Sequence, residues 1–375
     1  MVSIGGCIKT AQRRINEKAG NMNKTIMMTG GGTAGHVMPH LAIMPLLEEK
    51  GFELQYIGTK AGIEHEIIAK TDIRYHAVSA GKLRRYFSLQ NFVDPFKIMA
   101  GYLQARRILR KTRPAAVFSK GGFVSVPVVF AAKQLGIPVV LHESDYTPGL
   151  ANKLCIPRAS KICVSFEQAL KHVPAGKGIY TGLPIREALL QGKEHKGLNL
   201  CGFDGRKPVL LIMGGSQGAQ ALNSVLDEIM VHLTRKYDVA HIRGQNNLLD
   251  GQMIDGYKQF GFVGAELADL YAAADVMVSR AGATAVFEIL ALCLPSLLVP
   301  LPLSASRGDQ LLNAQHFEES GYAMTLLQED MGAVTLQTQI DAVYDERRKL
   351  SKAMKKAEAQ DAAKKVAQVI IDAIK

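Results

Sequence analysis

What this 375-residue chain lacks narrows it first. Its five cysteines (Cys7, Cys155, Cys163, Cys201 and Cys293) are scattered, odd in number and never spaced C-x-x-C. That pattern excludes a disulfide framework and a cysteine zinc site, and fits reduced thiols in a cytosol. No apolar run reaches the roughly 18 residues of a membrane span; the longest, Ile289 to Leu303, is broken by Ser296 and three prolines. Residues 1–23 contain no continuous apolar core of the kind a secretory signal needs. Met22 stands just before the first β-rich run, so these residues are expected to be an extension outside the fold, from an upstream start or a vector. With 47% apolar and 21% charged residues the chain is an ordinary folded protein and not a disordered one. Its length suggests two or three domains at roughly 150 residues each.

From Lys24 onward short β-rich runs alternate with helical patterns. The first half offers strands near Ile26–Thr29, Leu54–Ile57, Ala116–Phe118, Val139–His142 and Ile162–Ser165, with amphipathic segments such as Leu41–Lys50 between them. Strands written as apolar runs imply a parallel sheet covered on both faces. After Pro184 the alternation restarts: Val209–Met213, a glycine loop, a helix from Ala219 to about Lys236, then Val239–Ile242, Phe260–Val263, Val276–Ser279 and Leu297–Pro300. The expectation is α/β, with two doubly wound Rossmann-like domains joined near residues 183–207. Ala362, Val366, Val369, Ile370 and Ala373 share one helical face, so the tail reads as a docking helix. The expected division is 24–186 for the first domain, 187–345 for the second and 346–375 for helices packing back on the first.

Gly30, Gly32 and Gly35 satisfy G-x-G-x-x-G between a strand and a helix, the dinucleotide fingerprint. An acid should end the second strand to hold a ribose, yet that strand ends Tyr56-Ile57-Gly58-Thr59-Lys60. An NAD enzyme is thereby disfavoured. A second glycine loop, Gly214-Gly215-Ser216-Gln217-Gly218, opens the second domain in the same strand-to-helix position, and a third, Lys120-Gly121-Gly122-Phe123, ends another first-domain strand. Backbone N–H groups at a helix start bind anions because nothing within the helix pairs with them. Two such loops facing each other suit a sugar nucleotide held between two domains.

The loop G-G-G-T-A-G-H, then S-K-G-G-F-V-S-V-P, H-E-S-D-Y-T-P-G-L-A-N-K, T-G-L-P-I-R, G-G-S-Q-G and D-Q-L-L-N-A occur in this order from Lys24 almost to the tail. The set resembles the peptidoglycan N-acetylglucosaminyltransferases. The resemblance implies a GT-B fold, with a cleft between its two domains and a C-terminal helix crossing back to the first. It also implies inverting transfer of N-acetylglucosamine from UDP-N-acetylglucosamine to the 4-hydroxyl of undecaprenyl-pyrophosphoryl-N-acetylmuramyl pentapeptide. The nucleotide sugar is then a substrate and no cofactor is expected. A diacylglycerol galactosyl- or glucosyltransferase of the same fold is the alternative.

His36 and Glu143 are the two candidate bases. A histidine at a helix start should be neutral and able to accept a proton near pH 7, or else be a structural imidazole on the glycine loop. Glu143, closing a strand in H-E-S-D, could equally be a buried structural carboxylate. Arg186, after the turn Leu183-Pro184, could reach a pyrophosphate with a forked contact; Ser216 could offer a hydroxyl to the same phosphates or simply cap a helix. The resemblance assigns the ribose hydroxyls to Glu288 and the sugar to Gln310, with Asn313 on the same helix face. It adds Thr33, Ala34, Gly35, Gln217, Val263, Ala283 and Thr284 as substrate-binding positions. Asp145 and Asp309 stand where relatives are expected to carry asparagine and glutamine, and a carboxylate accepts hydrogen bonds without donating them. No D-x-D occurs, so helix starts and Arg186 are expected to meet the charge of departing UDP without a metal.

The chain's net charge is +11, and residues 79–113, with nine Lys or Arg against the single acid Asp94, account for +8 of it. Leu83, Tyr86, Phe87, Phe92, Phe96, Ile98 and Met99 are interleaved with these cations. Cations mixed with apolar residues suit an anionic lipid surface, at about 1 kcal/mol per cation. The expected place is the cytoplasmic side of the cell membrane, peripherally bound to its anionic inner leaflet. No nucleic-acid module is recognisable, so no nucleic-acid partner is expected.

Overall fold

The computed structural model describes residues 24–81, 90–214, 220–251, 254–357 and 361–374, without the side chains of residues 90–95. In the first half β1 (Thr25–Thr29), α1 (Met38–Glu49), β2 (Glu53–Thr59), α2 (Ile63–Ile68), β3 (Arg74–Val78), α3 (Gln90–Thr112), β4 (Ala116–Ser119), α4 (Ser125–Gln134), β5 (Val139–Glu143), α5 (Leu150–Cys155), β6 (Lys161–Val164) and β7 (Gly178–Tyr180) alternate. All seven strands are parallel, in the order β3-β2-β1-β4-β5-β6-β7. A connecting stretch carries α6 (Glu194–Cys201). There follow β8 (Val209–Met213), α7 (Gln220–Lys236), β9 (Asp238–Ile242), β10 (Tyr257–Phe260), α8 (Leu267–Ala273), β11 (Val276–Ser279), α9 (Ala283–Leu292), β12 (Ser296–Leu298), α10 (Asp309–Glu319) and β13 (Met324–Thr325). These six strands form a second parallel sheet, β10-β9-β8-β11-β12-β13. α11 (Ala333–Asp345), α12 (Arg347–Met354) and α13 (Ala362–Asp372) end the chain.

The apolar runs form strands because both faces of each sheet are covered: every residue of β1, β4 and β5 is buried. In register, Thr29 stands beside Ile57 and Ser119, and Met213 beside Ser279. The loops that follow these strands therefore leave one edge of each sheet side by side, at the carboxyl ends where doubly wound folds bind ligands. The tail helix docks as its periodicity implies. Val366, Ala367, Val369 and Ile370 of α13 share a core with Ile26, Met28, Ile43 and Leu47 of the first half. Each fully buried aliphatic side chain there contributes roughly 1.5–3 kcal/mol. α11 instead packs on α7 of the second half.

Three strands were invisible to the apolar-run criterion. Of β3, R-Y-H-A-V, only Val78 is buried; β7 is half-buried throughout and β13 has two residues, all near sheet edges. β10 runs Tyr257–Phe260 and shares only Phe260 with the expected strand.

Candidate active site

The first glycine loop is held from beneath by a residue that the motif did not suggest. Gly32 donates its backbone N–H to Glu64 Oε2 at 3.2 Å, while Glu64 Oε1 accepts from the Thr59 N–H at 3.0 Å and hydroxyl at 2.5 Å. Tyr56 donates to the Gly30 carbonyl at 2.8 Å. Glu64 is buried, and a Cβ on Gly31 would come within 2.5 Å of its carboxyl carbon, so only glycine fits over it. No acid ends β2, and the next along the chain, Glu64, stands four residues beyond Lys60. Buried, with both oxygens bonded within the chain, it serves the loop and not an outside ribose. One of the loop's N–H groups already serves the chain's own carboxylate, so the loop is only in part free for an outside anion.

His36 closes a short 3-10 turn, Ala34–His36, ahead of α1. Its Nδ1 lies 3.0 Å from the Gly31 carbonyl and 3.1 Å from Thr33 Oγ1. A carbonyl can only accept, so Nδ1 carries the proton and Nε2 keeps its lone pair. Burial first, then the charge of Lys120, lower its pKa to about 4, against the opposing bond to Gly31. The expected neutral imidazole is there, but the cause is corrected: α1 starts only at Met38, and burial with a lysine takes the place of the helix dipole.

Glu143, at the end of β5, has its oxygens engaged. Oε1 accepts from the Asp145 N–H at 3.0 Å, and Oε2 from the Gly149 N–H at 3.2 Å and Asn152 Nδ2 at 2.8 Å. These bonds fold the loop 144–149, which reaches the second half. There Asp145 Oδ2 lies 3.5 Å from Arg307 Nη2, Arg307 lies 2.5 Å from Asp309 Oδ2, and Thr147 donates to Asp309 Oδ1 at 3.0 Å. Two acids thus share one arginine across the cleft. Burial, then Glu143 and Asp309, push Asp145 up to about 7, with Arg307 and Lys120 opposing.

Opposite the first loop, α9 begins after Gly282, and Val286 is the first residue to bond back, to the Gly282 carbonyl. The N–H groups of Ala283 and Thr284 therefore have no partner within the helix. A Cβ on Gly35 would lie 3.3 Å from Thr284 Oγ1, so the two halves approach closely here. Glu288 is the sixth residue of α9, in its second turn, which removes the first-turn dipole explanation for it. It is buried, and its Oε2 accepts from the Tyr271 hydroxyl at 2.8 Å. Burial raises its pKa, while Tyr271 and then Arg186 pull it down. Arg186 is half-buried and its charge reaches both Glu288 and Tyr271. Sequence reasoning missed Tyr271, which no motif marks.

Gln310 commits its Oε1 to the Leu301 N–H at 3.0 Å, leaving its amide as a donor. Asn313 does not share an exposed polar face with it: it is 0% exposed and donates to the Ala281 carbonyl at 3.0 Å, fixing the turn that starts α9. Val263 is half-buried on the loop after β10, beside the exposed Phe262. Ser216 and Gln217 lie outside the described residues, as do Lys82, Arg84 and Arg85. Along α3, Phe96, Met99 and Leu103 stand on one face, 77%, 58% and 57% exposed, with Lys97, Arg107, Arg110 and Lys111 exposed on the same helix. Among the described residues no helix is long and apolar enough to cross a membrane.

The N-terminal domain of glycosyltransferase family 28 matches residues 26–164, and the family's C-terminal domain matches residues 209–370. The UDP-N-acetylglucosamine--N-acetylmuramyl-(pentapeptide) pyrophosphoryl-undecaprenol N-acetylglucosamine transferase of Clostridium novyi is 49% identical over 92% of this chain and 97% of its own length. The protein of the same name from Lachnoclostridium phytofermentans is 47% identical over 92% and 98%. Among solved structures, Acinetobacter baumannii MurG superposes with a TM-score of 0.72 at 26% identity, covering 93% of this chain and 99% of that one. A kitacinnamycin glycosyltransferase reaches the same TM-score at 16% identity, which bears on the fold alone.

Proposed function

Because the chain belongs to glycosyltransferase family 28, we propose that it moves N-acetylglucosamine from UDP-N-acetylglucosamine onto N-acetylmuramyl-(pentapeptide) pyrophosphoryl-undecaprenol, the reaction for which its relatives are named. The observation that carries this is the close approach of the Gly35 loop to Thr284. It sets a half-buried imidazole with an uncommitted Nε2 against the start of α9, with Glu288 and Arg186 on the same side of the cleft.

His36 Nε2 takes the proton of the muramyl 4-hydroxyl as that oxygen attacks the anomeric carbon. The bond from that carbon to UDP breaks on the opposite face, so the configuration inverts. Neutral above about pH 4, His36 holds its lone pair throughout the physiological range. Glu143 has the positioning role: a proton taken onto it would cost one of the bonds that fold loop 144–149. Negative charge growing on UDP meets Arg186 and the free N–H groups of Ala283 and Thr284. Glu288 receives the ribose hydroxyls while Tyr271 holds its other oxygen, and the Gln310 amide donates to the sugar. Ser216, Gln217 and Val263 complete the donor side, with Thr33 and Ala34 on the acceptor side. The exposed stripe of α3 rests on the anionic cytoplasmic leaflet, where the lipid acceptor resides.

The test is transfer by the purified chain from UDP-N-acetylglucosamine, UDP-galactose or UDP-glucose to a short-chain muramyl-pentapeptide pyrophosphoryl lipid or to diacylglycerol, each in excess EDTA. The expected product is N-acetylglucosamine β-linked to the muramyl lipid, undiminished by the chelator. Sugar appearing on diacylglycerol instead would overturn the assignment.

A further inference from the structure

Lys120 directly follows β4 and is 1% exposed, yet among the described residues no carboxylate comes within ion-pairing distance of its ammonium. An unpaired charge in such a place is expensive, and buried lysines ordinarily have an acidic partner. Here the partners are neutral. Nζ lies 2.8 Å from His142 Nδ1 and also bonds Ser144 Oγ. His142 Nε2 lies 3.0 Å from the Gly182 carbonyl, which can only accept, so Nε2 carries the proton and Nδ1 receives a hydrogen from Lys120.

The placement puts this cation beneath the reacting groups. A Cβ on Gly30 would lie 2.8 Å from the His36 carbonyl oxygen, 2.9 Å from His40 Nε2 and 3.2 Å from the Lys120 Cβ, so all three residues surround one glycine. Gly122, at φ +82°, approaches Gly31 so closely that a Cβ would collide with its carbonyl oxygen. The loop that follows Lys120 thus abuts the loop that holds His36. Glu143 and Asp145 raise the lysine's affinity for its proton, and burial, the larger effect, lowers its pKa to about 8.

We infer that Lys120 is a positioning residue of the transfer reaction, tying the end of β4 to the β5 loop through His142 and Ser144 and setting the charge against which His36 works. This rests on the proposed function and deepens it. A cation beside His36 opposes the imidazolium in the unloaded site, and the same cation attracts the negatively charged acceptor toward the first glycine loop. The groups that bear on His36 are Lys120 and Arg307, which oppose its protonation, and Glu64, which favours it; His40 shares the cluster around Gly30, and Lys120 and His36 oppose its protonation too.

The experiment compares the parent with Lys120→Met and Lys120→Arg in a full pH profile of kcat and KM, alongside an NMR titration of the His36 ring. Lys120→Met should lose at least about tenfold in kcat while binding UDP within about twofold of the parent, since UDP binds mainly in the other half. The His36 pKa should rise by about one unit in Lys120→Met as the neighbouring cation is removed, with burial still holding it below 6.5, and the acid limb of kcat should move up with it. Lys120→Arg should keep the parent's limb. An unchanged limb and an unchanged His36 titration in Lys120→Met would overturn the inference, leaving the lysine a packing residue. The NMR titration needs no turnover. A parent that transfers no N-acetylglucosamine therefore sinks the proposed function separately from the charge effect. If Lys120→Met does not fold, Lys120→Gln carries the same measurements.

Discussion

Asp145→Asn removes one of two carboxylates that share Arg307 across the cleft, and its effect should depend on pH. In the folded chain Asp145 binds its proton up to about pH 7, against about 3.8 when unfolded. Across that window the folded state holds a proton that the unfolded state has released, so stability falls as pH rises and levels off above 7. The ceiling is roughly 3 pKa steps at about 1.4 kcal/mol each, on the order of 4 kcal/mol. About a third of that is already present at pH 5, so the pH-dependent part between pH 5 and 8.5 is at most about 3 kcal/mol. Relaxation and solvent at a 28% exposed side chain reduce it further, to order 1–2 kcal/mol. The ion pair that the variant gives up is long, 3.5 Å from Asp145 to Arg307, and Arg307 keeps Asp309 at 2.5 Å. Scanning calorimetry of parent and variant at pH 5, 6, 7 and 8.5 reads this directly. The variant's melting temperature should gain on the parent's by a few degrees between pH 5 and 8.5, at roughly 2–4 °C per kcal/mol for a domain of this size. A constant difference across the series would refute the argument, since an uncharged cause has no reason to follow a proton.

Two further predictions concern the substrates. Glu288→Ala should weaken UDP binding at least about tenfold by titration calorimetry, because the carboxylate proposed to accept the ribose hydroxyls is gone; equal affinity in parent and variant removes Glu288 from the donor site. Phe96→Ser, Met99→Ser and Leu103→Ser combined should cost roughly 3 kcal/mol or more of binding to anionic vesicles in flotation, from the apolar area no longer inserted. Turnover with a soluble short-chain acceptor should stay near the parent's, and equal flotation of the two proteins would show that this stripe is not the docking face.

Periodicity alone shows the architecture wherever burial imposes it. β1, β4, β5 and β8 are nearly continuous apolar runs because both faces of a parallel sheet are covered, and α13 reads correctly because one stripe of it meets the core. Where burial is partial the signal disappears, as in the half-polar β3 and the three-residue β7. The site is legible in a different way. Glycines announce a loop, since a Cβ would strike Glu64 or the opposite loop, but they do not say what lies beneath. No glycine motif marks Glu64, which reaches the loop from the first turn of α2, 32 residues from its partner Gly32. Tyr271 is separated from Glu288 by 17 residues and joins it only because α8 and α9 flank β11. Lys120 is hidden most completely. In sequence it is a cation in a glycine loop, and a solvated side chain is the ordinary expectation for it. It becomes a buried ammonium because β1 and β4 are neighbours in register, with Thr29 beside Ser119, so that the residue after Ser119 falls beside Gly30, under the loop of His36. A local motif specifies which groups a site can use; strand order decides which charges they face, and here it sets Lys120 beneath the loop of His36, where its charge adds to burial in keeping the imidazole neutral.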